Sequence, residues 1–243
     1  MKDFSRVPVC RACLAKPEPL AAEYSCVQCR APFQSRFPLD EQGRCALCRR
    51  GVRGFDAAYS FGFYENELRK LIHLFKYGRV QTLSAPLGKL LARALPRERS
   101  FDLIVPMPLH WRKRWQRGFN QAELLARQIG RRTQVPVVNA LRRVRYTESQ
   151  AGLTSAKRRQ NVSGAFQAKR GRALDHLHVL LIDDVMTTGA TAASCARALK
   201  RAGAVHVTLL TLARADRRTM FDPLLLNSNF SGRSEDAQSR SIA

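Results

Sequence analysis

Apolar residues recur along the chain at two spacings, and the switch between them marks its elements. Over residues 67–77 the positions Leu68, Leu71, Ile72 and Phe75 fall three or four apart, as on one face of a helix. Residues 83–95 repeat this through Leu87, Leu90, Leu91 and Ala94, and Pro96 ends it. Residues 120–132 do the same with Ala122, Leu125, Ala126 and Ile129. Residues 101–106 form instead a short apolar run closed by proline, the pattern of a buried strand, and residues 135–138 are a further candidate strand. Residues 178–183 are nearly all apolar, as in a parallel strand covered on both faces. A helical stretch over 191–202, closed by Gly203, and a strand over 205–212 come next. Strand, helix and strand at this distance make a βαβ unit with parallel strands. Residues 142–164 are polar and basic, follow neither spacing and read as a long loop.

The pattern divides the chain into an α/β domain over 55–215, a small module over 1–54, and a segment over 216–243 expected to be a disordered C-terminal tail. At 45% hydrophobic residues a packed core is expected. No stretch reaches the roughly 20 apolar residues of a membrane span. The N-terminal residues show no apolar segment of the kind a signal peptide needs, so the expected location is the cytoplasm.

Six of the seven cysteines lie in the first 48 residues as three Cys-x-x-Cys pairs. In a reducing compartment such pairs read as metal ligands. A structural zinc site takes four thiolates. Cys26, Cys29, Cys45 and Cys48 are the preferred set, with Cys10 and Cys13 joining Cys26 and Cys29 as the alternative. The formal net charge is +23, and residues 107–172 hold 16 Lys or Arg against Glu123 and Glu148 alone. Such a field attracts polyanions, either nucleic acid or phosphorylated ligands.

The most informative segment runs from the strand at Val179 through Asp183, Asp184, Val185, Met186, Thr187, Thr188, Gly189, Ala190 and Thr191 into a helix. A turn at a strand's carboxyl end and a helix N-terminus offers backbone N–H groups and a positive dipole end, which suit a phosphate. The threonines add hydroxyl donors. Asp183 and Asp184 can accept hydrogen bonds from two vicinal ribose hydroxyls, or hold a Mg²⁺ that bridges them. This segment is similar to the signature of type I phosphoribosyltransferases. The resemblance implies that fold, a ribose 5-phosphate or phosphoribosyl pyrophosphate (PRPP) ligand with Mg²⁺, and a 5-phosphate wrapped by residues 187–191. Purine-salvage members carry an acid two residues before the glycine. Thr187 stands there and cannot act as a base at neutral pH, which disfavours purine salvage.

A second strand end, Pro106, Met107, Pro108 and Leu109, is the expected pyrophosphate loop. Beyond it Trp111, Arg112, Lys113, Arg114, Trp115, Arg117 and Phe119 interleave cations with aromatics, and Lys157, Arg158 and Arg159 follow in the basic loop. Cations track the backbone of single-stranded DNA, and each aromatic stack on a base is worth roughly 1–3 kcal/mol. Phe75-Lys76-Tyr77, the loop at 106–109, Arg117-Gly118-Phe119-Asn120-Gln121, then Gln150, Leu153, Arg158 or Arg159, Asn161 and Phe166, and the Asp-Asp-Thr-Thr-Gly segment stand in one order. That order resembles the ComF family of ComFC- and GntX-like proteins, over about Cys10 to Arg214. The resemblance implies an N-terminal zinc ribbon joined to a phosphoribosyltransferase-like domain, and a part in handling incoming single-stranded DNA in natural transformation. It also implies partners among competence proteins, a DNA-uptake helicase included. Two alternatives stay open: an orthodox phosphoribosyltransferase acting on a small-molecule acceptor, and an interaction module with a relict pocket.

Overall fold

The computed structural model describes residues 7–50, 54–145, 164–169 and 174–215, the side chains of Arg112 and Lys113 excepted. First come α1 (Arg11–Ala15), an antiparallel ribbon of β1 (Tyr24–Ser25) and β2 (Pro32–Phe33), and α2 (Ala46–Arg49). Next are β3 (Ala57–Phe63), α3 (Asn66–Tyr77), α4 (Ser84–Arg93), β4 (Leu103–Pro106), α5 (Trp111–Arg117) and α6 (Gln121–Thr133). β5 (Leu141–Arg143), β6 (Phe166–Ala168), β7 (His178–Met186), α7 (Ala190–Arg201) and β8 (His206–Arg214) complete the described order.

Four strands lie side by side as β3-β8-β7-β4, all parallel. Alternation along β7 and β8 fills both faces of this sheet. Val179, Leu181, Val207 and Leu209 pack with Cys195, Ala196 and Leu199 of α7. Leu180, Ile182, Leu210 and Leu212 pack with Phe75 of α3, Leu87 of α4, and Leu125 and Ile129 of α6. Each fully buried large apolar side chain of this kind contributes about 1.5–3 kcal/mol, and two covered faces explain why the runs are so largely apolar.

The cysteine-rich residues share the core on the α7 side. Ala58 N donates to Gln28 O at 3.0 Å and Leu20 N to Phe61 O at 2.6 Å, so the module covers the outer edge of β3. The buried Arg214 guanidinium donates to Cys29 O at 2.8 Å.

Several expectations are corrected. Residues 135–138 make one parallel bridge, Val137 with Ile104, and no strand, because Pro136 has no N–H with which to extend a ladder. The expected loop at 142–164 begins inside β5, which pairs antiparallel with β6, while residues 146–163 lie outside the described residues. The basic stretch after Leu109, to which the apolar spacing assigns no element, forms α5. β3 was not anticipated at all. The tail expected over 216–243 lies outside the described residues. No helix among the described residues is long and apolar enough to cross a membrane.

Candidate functional site

The carboxyl ends of β4 and β7 are adjacent, Pro106 standing opposite Ile182, and Met107 N donates to Ile182 O at 2.8 Å. Residues 106–109 and 183–191 therefore meet at one edge of the sheet, where open α/β sheets bind ligands. Gly189 precedes α7 at φ +77, a left-handed conformation that costs other residues roughly 1–2 kcal/mol. It lets the turn fold under the positive end of the helix. Thr188 Oγ1 accepts from Ala190 N at 3.3 Å. Thr187 is exposed, Thr188 and Thr191 are half-buried, and Met186 is buried.

Asn120 ties the two loop systems together. Its Oδ1 accepts from Ala122 N at 3.1 Å, capping α6, and its Nδ2 donates to Met107 O at 3.0 Å. Cys195 Sγ of α7 lies 3.1 Å from Met107 Sδ beneath the loop. Arg117 donates to Gln121 Oε1 at 3.2 Å and holds its guanidinium 5.0 Å from the centre of the Tyr77 ring.

Asp184 is buried and Asp183 keeps part of its surface open, with Asp184 N donating to Asp183 Oδ1 at 2.9 Å. Lys76 enters from the last turn of α3 and places Nζ 2.8 Å from Asp184 Oδ1. The two side chains are only 15% and 11% exposed, so water screens the pair weakly. Burial works against the Lys76 ammonium, but the Asp184 carboxylate, with Asp183 and Tyr64 adding to it, raises the pKa overall. Burial pushes the Asp183 carboxyl up to about 7, the neighbouring Asp184 charge adds to it, and Lys76 and Arg117 act in the opposite direction.

That shift has a stability consequence. Between the ordinary carboxylate range and about pH 7, folded Asp183 retains a proton that the unfolded chain has released. Folded stability therefore falls as pH rises through this window. Asp183→Asn removes the cost. After discounting for the open side, the gain at pH 8 is on the order of 1–2 kcal/mol, or about 2–8 °C in melting temperature. Thermal melts across pH should show the gap narrowing toward pH 4; a gap that does not vary with pH would mean that Asp183 is not strained in its charged form.

α5 carries Trp111 and Trp115 four residues apart, on one face of the helix, and they are 67% and 85% exposed. Neither is core packing. Arg114 Nη2 lies 3.9 Å from Glu123 Oε2, at the far limit of an ion pair. Arg112 and Lys113 sit on the same helix, but their side chains fall outside the described residues, as do Lys157, Arg158 and Arg159.

Lys76 did not figure among the expected site residues. Helical phase alone makes it a cation at a helix end, a common solvent-facing role, and only the Phe75-Lys76-Tyr77 element of the resemblance pointed to it.

Apart from this edge, the thiols of Cys26, Cys29, Cys45 and Cys48 are buried and all lie within 4.8 Å of one another. Cys29 Sγ and Cys45 Sγ are 3.7 Å apart, and Cys45 N donates to Cys26 Sγ at 3.3 Å. A tetrahedron of sulfurs about 2.3 Å from a zinc ion has edges of about 3.8 Å, so four thiolates here can hold a metal ion. Cys10 caps α1, its Sγ accepting from Cys13 N at 3.3 Å, and neither residue joins the cluster. Of the two sets weighed from spacing, the structure brings together the one formed by Cys26, Cys29, Cys45 and Cys48.

A parallel sheet ending in an acidic pair and a Thr-Thr-Gly turn, beside a four-cysteine ribbon, defines a phosphoribosyltransferase-type α/β protein with an N-terminal ribbon module. Competence protein F of Haemophilus influenzae is 34% identical to the chain, with 70% of this chain and 78% of that protein covered. DNA utilization protein YhgH of Escherichia coli K12 is 32% identical, with 78% and 83% covered. The chain belongs to the ComF family. No family model matches it. Among solved structures it is similar to the glutamine PRPP amidotransferase of Bacillus subtilis, at 23% identity and a TM-score of 0.38. That similarity covers 54% of this chain and only about a quarter (26%) of the enzyme.

Proposed function

We propose that the chain binds PRPP at residues 183–191 and 106–109 and single-stranded DNA at α5, in the cytoplasmic handling of DNA taken up from outside. The observation that carries this reading is the meeting of the acidic pair and the Thr-Thr-Gly turn with the 106–109 loop at one sheet edge, next in sequence to a helix with two exposed tryptophans. The names of Competence protein F and DNA utilization protein YhgH support its DNA side. Asp183 and Asp184 accept from the ribose hydroxyls, the turn before α7 takes the 5-phosphate, and the 106–109 loop faces the pyrophosphate. Mg²⁺ would accompany the pyrophosphate and neutralise its charge there. In a transfer step C1 is attacked as pyrophosphate leaves, and the protein contributes ribose positioning and cationic stabilisation from Arg117. Zinc in the four-cysteine cluster is structural, supplying folding free energy that so small a module lacks.

The intact turn also favours a second reading, transfer of ribose 5-phosphate to a small-molecule acceptor. Calorimetric titration of PRPP with Mg²⁺, with and without a single-stranded oligonucleotide, separates the two. Heat from PRPP that changes with bound oligonucleotide supports the first; PRPP binding indifferent to DNA supports the second; no PRPP binding removes both. For the DNA surface, Trp111→Ala with Trp115→Ala should weaken oligonucleotide binding at least about 30-fold, from two lost stacks. Arg114→Ala should flatten the salt dependence. If affinity and slope hold in both variants, α5 is not the interface.

A further inference from the structure

We infer that Lys76 supplies, from within the protein, the positive charge that balances the acidic pair at the ribose end of the site, so that no divalent cation bridges ribose hydroxyls to Asp184. This rests on residues 183–191 being a ribose-phosphate site. One oxygen of Asp184, Oδ1, already has an ammonium 2.8 Å away. Mg²⁺ binds oxygens at about 2.0–2.1 Å, so an ion on that oxygen would stand only about 4 Å from the Lys76 ammonium, with little water to screen two like charges. The donor set agrees. Two carboxylates face Lys76 and, within electrostatic range of Asp183, Arg117, which together cancel the charge that would attract a divalent ion.

Lys76 is also held rigidly. The preceding Phe75 is fully buried, its ring 5.6 Å from that of Phe119, and Leu68, Leu71 and Ile72 fasten the same helix to the sheet. The ammonium lies in the last turn of α3, where the helix dipole favours a cation. A surface lysine would swing away from an incoming ion, but this one has no comparable freedom. Lys76 is therefore a positioning residue that fixes Asp184 for the ribose hydroxyl and excludes the ion. Mg²⁺ remains a companion of the pyrophosphate only.

Ribose 5-phosphate is the discriminating probe, because it carries the diol and the 5-phosphate but no pyrophosphate to bring its own magnesium. Calorimetry on the full chain should give the same affinity in magnesium-free buffer and in millimolar Mg²⁺. Lys76→Met should lose about 10-fold or more without the ion, the effect of a charged hydrogen-bond partner, and recover part of it with Mg²⁺. Lys76→Arg, which keeps the charge, should stay independent of magnesium. Wild-type affinity that rises with Mg²⁺, or Lys76→Met behaving as wild type, overturns the inference. A second arm does not depend on ribose 5-phosphate binding. Electron paramagnetic resonance with Mn²⁺ should find no ion on the wild-type protein that Asp183→Asn with Asp184→Asn removes, and should find one on Lys76→Met. A wild-type Mn²⁺ site abolished by the double substitution overturns the inference even if Lys76→Met fails to fold. Failure of ribose 5-phosphate to bind alongside the expected Mn²⁺ pattern would count against the ribose-phosphate reading and leave the charge-balancing role of Lys76 standing.

Discussion

Asp183→Asn combined with Asp184→Asn is expected to lower affinity for PRPP at least about a hundredfold while secondary structure and metal content stay as they were. Two carboxylates at the end of β7 are the acceptors available to a vicinal diol, and a hydrogen bond to a charged group contributes about 1.5–3 kcal/mol. Asparagine keeps the volume and one acceptor oxygen but loses the charge, and its amide presents donors where the ligand also donates. The substitution additionally strands the Lys76 ammonium, which lies 2.8 Å from Asp184 and is mostly buried. Circular dichroism should be unchanged at pH 8, where Asp183→Asn alone is expected to stabilise the fold. Unaltered PRPP affinity in a folded double variant would sink the assignment of the site.

Loss of a metal held by the cysteine cluster should have a still larger effect, on stability. Apparent binding free energies of structural zinc in small peptides are about 10–16 kcal/mol, comparable with the whole stability of an ordinary domain. Cys48→Ser, or exhaustive chelation, is therefore expected to unfold the ribbon and to lower the melting temperature by well over 10 °C. The damage should reach the ligand site. Arg214 donates to Cys29 O, pairs in register with Met186, and is followed by Ala215, whose N–H donates to Met186 O at 3.0 Å at the base of the phosphate turn. PRPP affinity should accordingly fall along with the melting temperature. Metal analysis beside thermal melts would decide: a chelated protein that melts as before is not held by metal at these cysteines.

How far the sequence could be read follows from what each segment presents. α3, α4 and α6 show a clear apolar stripe because one face meets the sheet and the other meets water, and β7 over residues 179–182 and most of β8 are apolar because both faces are covered. β3 was missed because Ala57, Ala58, Tyr59, Ser60, Phe61, Gly62 and Phe63 have neither the alternation nor the β-branched residues of an obvious strand. Its conformation comes from pairing with β8. α5 has no core-facing stripe, since both of its tryptophans point outward, so its sequence reads as a basic loop. At the site, the loop signature identifies residues whose chemistry is local to one turn. Lys76 acts across more than 100 residues of sequence, and no spacing rule reaches that far. The cysteine pairs allowed two ligand sets by spacing, and only the folded arrangement of the ribbon separates them.

The pairing of β3 with β8 also sets a timetable for synthesis. The Ser60 and Thr211 hydroxyls meet at 2.7 Å although 151 residues separate them. At about 5–20 residues per second, a ribosome needs roughly 8–30 s to make that stretch. All four clustered cysteines emerge early and close together, so the ribbon could take up a metal ion while the edge of β3 on the β8 side still has no partner. Such an edge on a nascent chain is prone to association, and a chaperone would have to guard it until β8 arrives. Chains truncated before residue 206 would never leave that waiting state, and they should accumulate as metal-loaded but insoluble protein.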